Sequence, residues 1–456
     1  MCINDFYKKC SNKKIAFLGA GISNLPLIYK MLSYNIDVSV FDQKDPEENQ
    51  ALINDLLAAG AKVKFGKECM ENIEADIVFR SPGIDFFSNT ITELVDKGCI
   101  VTSEMEIFME CCPATTIAIT GSDGKTTTST LIYEMLKRDG KNVYLGGNIG
   151  NSLILELESM KTSDFVVLEL SSFQLISMRN NFDVSVITNI TPNHLDVHRN
   201  FKEYIDAKKN IFLHQNAFTK TIINRDNIIV FDLSKEVRGN ALYFSTKSVC
   251  NGAWIDINGD ICLKHGENVQ RVASTKDMKL VGNHNKENIL AAVLAVYEYV
   301  DLESIRSVIC TFSGIKYRIE YFATISGVDY YDDSSATTPS RTVACLNSFD
   351  EKVILIAGGS DKKIPFDELG SVILSKCKLL ILTGNTSSSI KKSVIDANKN
   401  TCLPILECNN LTEAVSLAKR NAKSGDKVVL SPACASFDSF KNYKQRGDEF
   451  KKLVLE

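Results

Sequence analysis

The sequence predicts an α/β protein of three domains, with Rossmann-like domains at both ends and a P-loop-like domain with a parallel sheet between them. Its 456 residues correspond to about three domains of ordinary size, and 44% of them are hydrophobic, enough to form large cores. Short apolar runs alternate with helical stretches along the chain, as a parallel sheet requires. Two glycine-rich turns, at residues 19–21 and 121–124, each follow an apolar run and precede a helical stretch.

Composition narrows the class of protein. The formal net charge is only -4 and no long run of Lys or Arg occurs, which argues against a nucleic-acid or acidic-membrane partner. The 14 cysteines include no C-x-x-C pair, so reduced thiols are expected rather than a zinc site or a thioredoxin-like motif. No stretch reaches the ~18 apolar residues of a membrane span, and the polar N-terminus does not resemble a signal peptide. We therefore expect a soluble, cytoplasmic protein.

The first domain is predicted over residues 1–110. Its strands are predicted at Ile15–Leu18, Val38–Phe41 and Ala75–Phe79. The glycine turn and a helix to about Leu32 join the first two strands into a βαβ unit. The third strand leads into the turn Arg80–Gly83, at the end of a strand where open parallel sheets bind ligands.

The central domain is predicted over residues 111–314 and the last over residues 315–456. Central strands are predicted at Thr116–Thr120, Phe165–Leu170, Val184–Asn189 and Thr221–Asn224, with helices at Thr127–Arg138 and Asn285–Tyr299. Short alternating runs over residues 228–275 predict an antiparallel appendage. In the last domain the predicted strands are Val353–Ala357, Leu379–Leu382 and Val428–Leu430, with a helix at Thr412–Ala422.

The turn after Thr120 has the chemistry of a phosphate loop. Its glycines allow the backbone to approach phosphate, Lys125 can pair with terminal phosphates, and the Thr126 hydroxyl can bind Mg²⁺. The common P-loop requires a glycine five residues before Gly124, where this chain has Ile119. A strand before the turn and a helix after it favour phosphate binding over a merely solvated turn.

The N-terminal turn, Gly19-Ala20-Gly21-Ile22-Ser23-Asn24, gives a weaker signal. Asn24 replaces the third glycine of the dinucleotide fingerprint, while Asp42 ends the second strand where an acid could bind a ribose. Two interpretations remain open: a site for a nucleotide-like group, which we favour, and a purely structural βα turn.

Two ionisable residues of the central domain are candidates for a metal-nucleotide site. Glu169 ends an apolar strand, either facing Mg²⁺-nucleotide or as a simple strand-end charge. Lys208 lies at helical spacing from apolar residues, so its amine belongs to the apolar face. A buried amine loses its proton readily and can react with CO₂ to form a carbamate, although snorkelling is the alternative. His194 and His198, four residues apart, lack a third zinc ligand, and one of them is expected at the edge of the nucleotide.

Several motifs together resemble the Mur ligase family, in the same order and over nearly the whole chain. They are the loop Thr120–Thr127, Gly147-Asn148-Ile149-Gly150, Glu169–Gln174, Asn193-His194-Leu195-Asp196 and Gly282-Asn283-His284-Asn285. The C-terminal runs Leu430–Asp438 and Arg446–Phe450 are similar to the D-glutamate-adding members of that family. The resemblance implies three domains with a P-loop-like ATPase in the centre.

The resemblance also implies an activity in peptidoglycan precursor synthesis. Such a ligase uses ATP to phosphorylate the carboxylate of UDP-N-acetylmuramoyl-L-alanine, and the amine of D-glutamate attacks the acyl phosphate. ATP and Mg²⁺, for which Mn²⁺ can substitute, are the implied nucleotide and metal, and a monomer is expected. A different amino-acid substrate and a non-catalytic nucleotide-binding module remain the alternatives. A nicotinamide-dependent oxidoreductase would not explain Lys125, and a GTPase would need an Asn-Lys-x-Asp motif that this chain lacks.

The resemblance assigns residues to four sites. The implied metal ligands are Thr126, Glu169, His194 and Lys208 as its carbamate, and the implied catalytic residues are Lys125, Glu169, His194 and Lys208. ATP would contact Gly121, Ser122, Asp123, Gly124, Lys125, Thr126, Thr127, Asn285, Asn288, Arg318 and Asp333. The UDP-sugar would contact Gly21, Ile22, Ser23, Asp42, Gln43, Ser81, Gly83, Asn148, Ser171 and Gln174. D-Glutamate would contact Thr337, Lys362, Ser436, Phe437 and Tyr443.

Three positions depart from the family pattern. Asp123 stands where Asn is usual, and Tyr317 stands where His is frequent before the phosphate-binding Arg318. Ser335 stands where a lysine is expected near the reacting amine and phosphate. Arg341 or Lys363 is the hypothetical replacement for that lysine.

Overall fold

The computed structural model describes residues 1–150, 152–192, 197–280, 282–362, 364–398 and 402–456. These residues form three sheets. They divide into two compact units: Met1–Ala273 with Glu287–Val308, and Ser274–Lys286 with Ile309–Glu456. Within the described ranges no helix is long and apolar enough to cross a membrane.

The N-terminal sheet has five parallel strands in the order β3-β2-β1-β4-β5. Its elements are α1 (Ile3–Cys10), β1 (Lys14–Leu18), α2 (Asn24–Ser33), β2 (Asp37–Asp42), α3 (Gln50–Ala58), β3 (Lys62–Phe65), β4 (Ile77–Arg80), α4 (Asn89–Asp96), β5 (Ile100–Thr102) and α5 (Glu104–Cys111). In β1, Ile15 and Phe17 pack into one apolar cluster and Ala16 and Leu18 into another. Because both faces of this central strand are buried, it reads as a continuous apolar run.

The second sheet has nine strands in the order β14-β13-β12-β11-β10-β9-β6-β8-β7. Its elements are β6 (Thr115–Thr120), α6 (Lys125–Arg138), β7 (Val143–Gly147), β8 (Phe165–Glu169), α7 (Ser172–Leu175), β9 (Val184–Ile187), α8 (Phe201–Leu213), β10 (Lys220–Asn224), α9 (Ile228–Leu233), β11 (Asn240–Ser245), β12 (Gly252–Ile255), β13 (Asp260–His265) and β14 (Asn268–Ser274), followed by α10 (Asn283–Val296) and α11 (Leu302–Thr311). Pairing is parallel from β7 across to β12. This arrangement puts the turns after β6, β8 and β9 at one edge of the sheet.

The predicted antiparallel appendage over residues 228–275 is wrong in its first half. β11 pairs in parallel with β10, and β12 pairs in parallel with β11, so both strands extend the main sheet. The direction reverses only between β12 and β13. Alternating hydrophobicity indicates which face of a strand is buried, but it carries no information about strand direction, so the pattern could not distinguish parallel from antiparallel pairing.

The third sheet has six strands in the order β15-β16-β20-β17-β18-β19. Its elements are β15 (Glu320–Ile325), β16 (Val328–Asp332), α12 (Pro339–Asn347), β17 (Val353–Ala357), α13 (Asp367–Lys376), β18 (Cys377–Thr383), α14 (Ser387–Ala397), β19 (Ile405–Cys408), α15 (Leu411–Asn421), β20 (Lys427–Leu430) and α16 (Tyr443–Leu455). Only β15 is antiparallel to its neighbour, and the other pairs are parallel. The predicted α/β fold class with three sheets is therefore confirmed.

Helices α13 and α14 touch through a glycine, which gives a test of this packing. A Cβ added to Gly370 would lie 2.2 Å from the Ser393 carbonyl oxygen and 2.9 Å from the Val394 nitrogen, both backbone atoms. We expect Gly370→Ala to destabilise the protein by about 1–3 kcal/mol, although Ala is the better helix former. Calorimetric melting measures this, with Ser371→Ala at an exposed position of the same helix as the control. A melting temperature equal to or above that of the control would contradict the packing.

Candidate active site

The phosphate-loop candidate connects β6 to α6 through backbone that only glycine tolerates well. Gly121 has φ 155° and Gly124, the N-cap of α6, has φ 80°. A Cβ on Gly121 would lie 1.9 Å from Thr188 Oγ1, and one on Gly124 would lie 2.2 Å from Asn288 Oδ1. The loop therefore packs closely against Thr188 and Asn288. The 14-residue helix α6 begins directly after the loop, so the backbone amides of its N-terminus are available to an anion there.

Two residues that the sequence analysis did not assign fix this loop. The Asn189 carbonyl accepts from the Ser122 amide at 2.8 Å, and Asn189 Oδ1 accepts from the Asp123 amide at 2.9 Å. Thr188 Oγ1 donates to the Asp123 carbonyl at 2.6 Å. Both residues follow β9, which lies beside β6. Ligands bind at the carboxyl ends of parallel strands, so Thr188 and Asn189 could have been identified once β9 was known to lie beside β6.

Lys125 and Thr126 begin helix α6, as a phosphate site requires. Lys125 Nζ donates to the carbonyls of Gly121 at 3.0 Å and Ser122 at 2.9 Å, so the cation lies over the loop that it follows. Thr126 and Thr127 are half-buried in the first turn, where the positive end of the helix dipole favours an anion. Asp123, which stands where Asn is usual, is exposed.

Glu169 is a buried carboxylate at the end of β8. It is 2% exposed and lies opposite Ile119 in the register of β6 and β8. Its Oε1 accepts from Asn148 Nδ2 at 3.0 Å, while its Oε2 has no hydrogen-bond partner among the described residues. A buried carboxylate oxygen without a donor is costly unless a cation binds it. Glu169 thus fits the Mg²⁺ that the family resemblance implies.

Lys208 is buried on α8, as the helical spacing predicts. It is 1% exposed, and its Nζ donates to Gly121 O at 2.8 Å and Thr120 Oγ1 at 3.2 Å. Burial, followed by repulsion from the Lys125 cation, lowers the pKa of Lys208 well below its ordinary value. The amine therefore lies at the base of the phosphate loop, and the lowered pKa makes it easier to remove the proton, as reaction with CO₂ requires. The snorkelling alternative is excluded by this burial.

The two histidines of the sequence analysis have different outcomes. His194 lies outside the described residues. His198 is buried, with Nε2 2.9 Å from Ser172 Oγ and Nδ1 3.1 Å from Glu203 Oε1. This histidine therefore stabilises the start of α7. No cluster of three or more His, Cys, Asp or Glu side chains is arranged to hold a metal in the parts of the chain that the structure describes.

In the N-terminal sheet, the turn after β1 is held by Asp42, a predicted nucleotide residue, and by Asn24, the departure from the dinucleotide fingerprint. Asp42 Oδ2 accepts from the Ala20 amide at 2.7 Å and lies 3.4 Å from Lys44 Nζ. Asn24 Nδ2 donates to Gly19 O at 2.8 Å, so the residue that replaces the third glycine closes the turn. A Cβ on Gly19, with φ 94°, would lie 2.8 Å from Ser81 Cβ.

The other predicted UDP-sugar residues follow β1, β2, β4, β7 and β8. The turn after β1 carries Gly21, half-buried Ser23 and Ile22, which is 74% exposed, and the turn after β4 carries Ser81 and exposed Gly83. Gln43 is exposed directly after β2. Ser171 caps α7 in a capping box with Gln174, whose Oε1 accepts from the Ser171 amide at 3.1 Å.

The predicted adenosine residues fall in different units. Asn288 belongs to the first unit, where Oδ1 accepts from Thr128 Oγ1 at 3.3 Å behind the phosphate loop. Asn285, Arg318 and Asp333 belong to the second unit, and Arg318 is exposed there. Asp333 is buried and accepts from the Ile319 amide at 3.2 Å and Ser431 Oγ at 2.7 Å, and burial raises its pKa to about 7. A ribose contact by Asp333 stays a prediction.

The predicted D-glutamate residues all belong to the second unit. Lys362 Nζ donates to Thr337 Oγ1 at 3.1 Å, so these two predicted contacts lie together. Ser436 is buried after β20, whereas the ring of Phe437 is 74% exposed. Tyr443 begins α16, and its ring lies 5.9 Å from that of Tyr317.

The position of the expected lysine has a cation anchored to it. Ser335 donates its amide to Tyr317 O at 2.9 Å, and the Ser335 carbonyl accepts from Arg341 Nη1 at 3.1 Å. Tyr317, which stands in place of the frequent histidine, has φ 66° and donates its hydroxyl to Asp448 Oδ1 at 2.9 Å. Lys363, the other candidate for replacing the lysine, lies outside the described residues.

Two family models match this chain. Residues 119–296 match the Mur ligase middle domain, and residues 317–434 match the Mur ligase, glutamate ligase domain. UDP-N-acetylmuramoylalanine--D-glutamate ligase of Acetivibrio thermocellus is 46% identical over 457 aligned residues, covering 99% of this chain and 98% of the relative. The protein of the same name from Clostridium tetani is 44% identical, again covering 99% of this chain and 98% of the relative.

Solved structures show the same fold at low sequence identity. UDP-N-acetylmuramate-alanine ligase from Thermotoga maritima has a TM-score of 0.56 at 17% identity, covering 97% of this chain and 99% of the other. A UDP-N-acetylmuramoyl-L-alanyl-D-glutamate--2,6-diaminopimelate ligase has a TM-score of 0.58 at 18% identity, covering 92% of this chain and 93% of the other. With relatives of more than 40% identity along almost its entire length, the chain belongs to the Mur ligase family.

Proposed function

We propose that this protein is an ATP-dependent ligase that adds D-glutamate to UDP-N-acetylmuramoyl-L-alanine through an acyl phosphate, in peptidoglycan precursor synthesis. One observation carries the proposal: a buried amine and a buried carboxylate lie beside the phosphate loop. The amine of Lys208, on α8, donates to Gly121 O, and Glu169, at the end of β8, is paired with Ile119 just before the loop. The choice of amino acid is supported by the relatives named for D-glutamate and by the match to a glutamate ligase domain.

The residues of the first unit have distinct tasks in this reaction. Lys125 and the N-terminus of α6 neutralise charge on the phosphates of ATP, which is where a phosphoryl transfer needs stabilisation. Asn288 packs behind Gly124 and keeps the loop in place for the nucleotide. The turns that carry Gly21 and Ser81 bind the UDP end of the other substrate.

Thr126, Glu169, His194 and carbamylated Lys208 would hold magnesium, which supplies positive charge to the transferring phosphoryl group. The second unit binds D-glutamate, whose amine attacks the acyl phosphate and displaces phosphate. Lys362 and Thr337 bind a carboxylate of D-glutamate, and Ser436, Phe437 and Tyr443 enclose its side chain. When the amine and the acyl phosphate are both bound, their reaction no longer requires two free molecules to meet, which lowers its barrier.

The remaining assignments follow from the same proposal. The proposed domains are residues 1–110 for UDP-sugar binding, 111–314 for ATP binding and 315–456 for amino-acid binding. A monomer suffices, because one chain provides every residue that we assign. The cytoplasm, where ATP is available, is the compartment that we assign to the reaction.

Amino-acid dependence of phosphate release tests the function. With ATP, Mg²⁺ and UDP-N-acetylmuramoyl-L-alanine present, we expect D-glutamate to stimulate release, and L-glutamate and D-alanine to give background rates. Equal or absent stimulation by all three would contradict the assignment. ATP binding without any turnover would instead identify a non-catalytic nucleotide-binding module, and stimulation by a different amino acid would identify another Mur-type ligase.

Substitution of Lys208 tests the carbamate. We expect Lys208→Arg to lower turnover about tenfold to 100-fold, since arginine cannot form the metal-binding group. Lys209→Arg is the matched control, because Lys209 pairs with Asp206 and Glu236 on another side of α8. After equilibration with ¹³C-bicarbonate, a carbamate carbon signal is expected from wild type and Lys209→Arg only. A wild-type spectrum without that signal would refute the carbamate.

Substitution of Arg341 tests what replaces the lysine expected at Ser335. Because its guanidinium is anchored on the Ser335 carbonyl, we expect Arg341→Ala to lower turnover about tenfold or more, as for loss of one charged contact. Adding Ser335→Lys to that variant is expected to restore activity. Arg420→Ala, at an exposed arginine on α15, serves as the control. Unchanged turnover of Arg341→Ala would exclude Arg341 from this role.

A further inference from the structure

Arg80 is a buried cation in the first unit that none of the assigned sites uses. It ends β4 and is 2% exposed, the largest fully buried side chain of the described residues by volume. Burial of a charge is costly unless hydrogen bonds satisfy it. Burial lowers the pKa of Arg80, and the nearby carboxylates of Glu106 and Asp85 oppose that shift.

The Arg80 guanidinium joins the turn that follows β4 to the chain around α7. Nη1 donates to Ile84 O at 2.8 Å and to Ser81 O at 3.3 Å, both in the N-terminal sheet region. Nη2 donates to Phe173 O at 2.9 Å and lies 3.4 Å from Ser177 Oγ, more than 90 residues along the chain. The two ends of one planar group therefore fix two segments to each other.

A carboxylate continues this network without a direct ion pair to Arg80. Glu106 Oε2 accepts from Ser103 Oγ at 2.7 Å and from Ser177 Oγ at 3.3 Å. The acceptors of the Arg80 guanidinium are thus main-chain carbonyls and one hydroxyl. Main-chain carbonyls move only with the backbone, so these bonds restrain the path of both segments rather than the rotamer of a partner side chain.

Both restrained segments carry residues proposed for the nucleotide sugar. The turn after β4 contains Ser81 and Gly83, and α7 contains Gln174. A small cavity beside Arg80 is lined by Ser23, Pro82 and Gln174, which belong to the turn after β1, the turn after β4 and α7. Arg80 thus lies where three proposed substrate-binding segments meet.

We propose that Arg80 is a positioning residue for the nucleotide-sugar substrate, which holds the Ser81–Gly83 turn and α7 in the spacing that this substrate requires. The inference rests on the function proposed above. Arg80 acts through the two segments and not by contact, since its side chain is buried and both Nη atoms already have protein acceptors. Preorganised segments bind more tightly because less ordering is needed on binding.

Calorimetric titration with UDP-N-acetylmuramoyl-L-alanine, together with steady-state kinetics, tests this role in the full-length protein. We expect Arg80→Met to raise the Kd and KM for the nucleotide sugar about tenfold or more, with KM for ATP within about twofold of wild type. Arg80→Lys should give an intermediate loss, because one ammonium cannot bridge both segments. Arg179→Met is the matched control, since this exposed arginine donates to the nearby Ile176 and Met178 carbonyls.

Each outcome decides the inference. Selective weakening of nucleotide-sugar binding in Arg80→Met supports it, and if that variant does not fold, the same measurement on Arg80→Lys decides. Binding equal to that of Arg179→Met, or an equal rise in the KM values for ATP and the nucleotide sugar, would overturn it. Absence of binding by the wild-type protein would contradict the proposed function itself, and with it the role of Arg80.

Discussion

The backbone at the phosphate loop has no room for a side chain, and the rest of the first unit is arranged around that constraint. Because Gly121 and Gly124 lack a Cβ, Thr188 and Asn288 approach to distances that any other residue would block. The close approach lets the end of β9 bond to the loop, lets α10 pack behind it, and lets Lys208 reach the Gly121 carbonyl. Strand order, helix packing and a buried amine therefore all meet at one turn.

The positions of helices and strands along the chain could be predicted from the sequence, whereas the order and direction in which the strands pair could not. Strands such as β1 and β17 are buried on both faces and read as plain apolar runs, so their positions were correct. Thr188 and Asn189 were missed because they meet the phosphate loop only after β9 has paired with β6, and strand order is not visible in local patterns. For the same reason the direction of β11 and β12 was wrong. Arg80 was seen only as part of a turn, since nothing local distinguishes a buried arginine from an exposed one.

Two polar residues near the N-terminal turn show that a pattern typical of ligand binding can also stabilise the backbone. The sequence marked Asp42 as a possible ribose-binding acid and Asn24 as a departure from the dinucleotide fingerprint. In the fold, both side chains hold the turn itself, Asp42 through the Ala20 amide and Asn24 through the Gly19 carbonyl. The Asn24 side chain, at the position of the third glycine, closes the turn with a hydrogen bond to the backbone. A contact between Asp42 and substrate would therefore have to be made in addition to this structural bond.

Three buried cations follow one physical rule. Lys208 donates to Gly121 O, Arg80 donates to the carbonyls of Ile84 and Phe173, and in the second unit Arg446 donates to those of Ser334, Cys434 and Ala435. Each contacts segments that follow parallel strands, where the proposed anionic substrates bind.

Carbonyl oxygens satisfy a cation without cancelling its charge, whereas a carboxylate partner would neutralise it. Burial opposes the charge, lowering the pKa of Arg446 to about 10 and that of Lys208 well below its ordinary value. The arginines stay charged at neutral pH, since even a pKa of about 10 leaves the guanidinium protonated. Lysine has an amine that can lose a proton and form a carbamate, whereas the arginines keep their charge. This difference explains why a carbamate is expected at Lys208, while Arg80 and Arg446 are expected to position the loops around them.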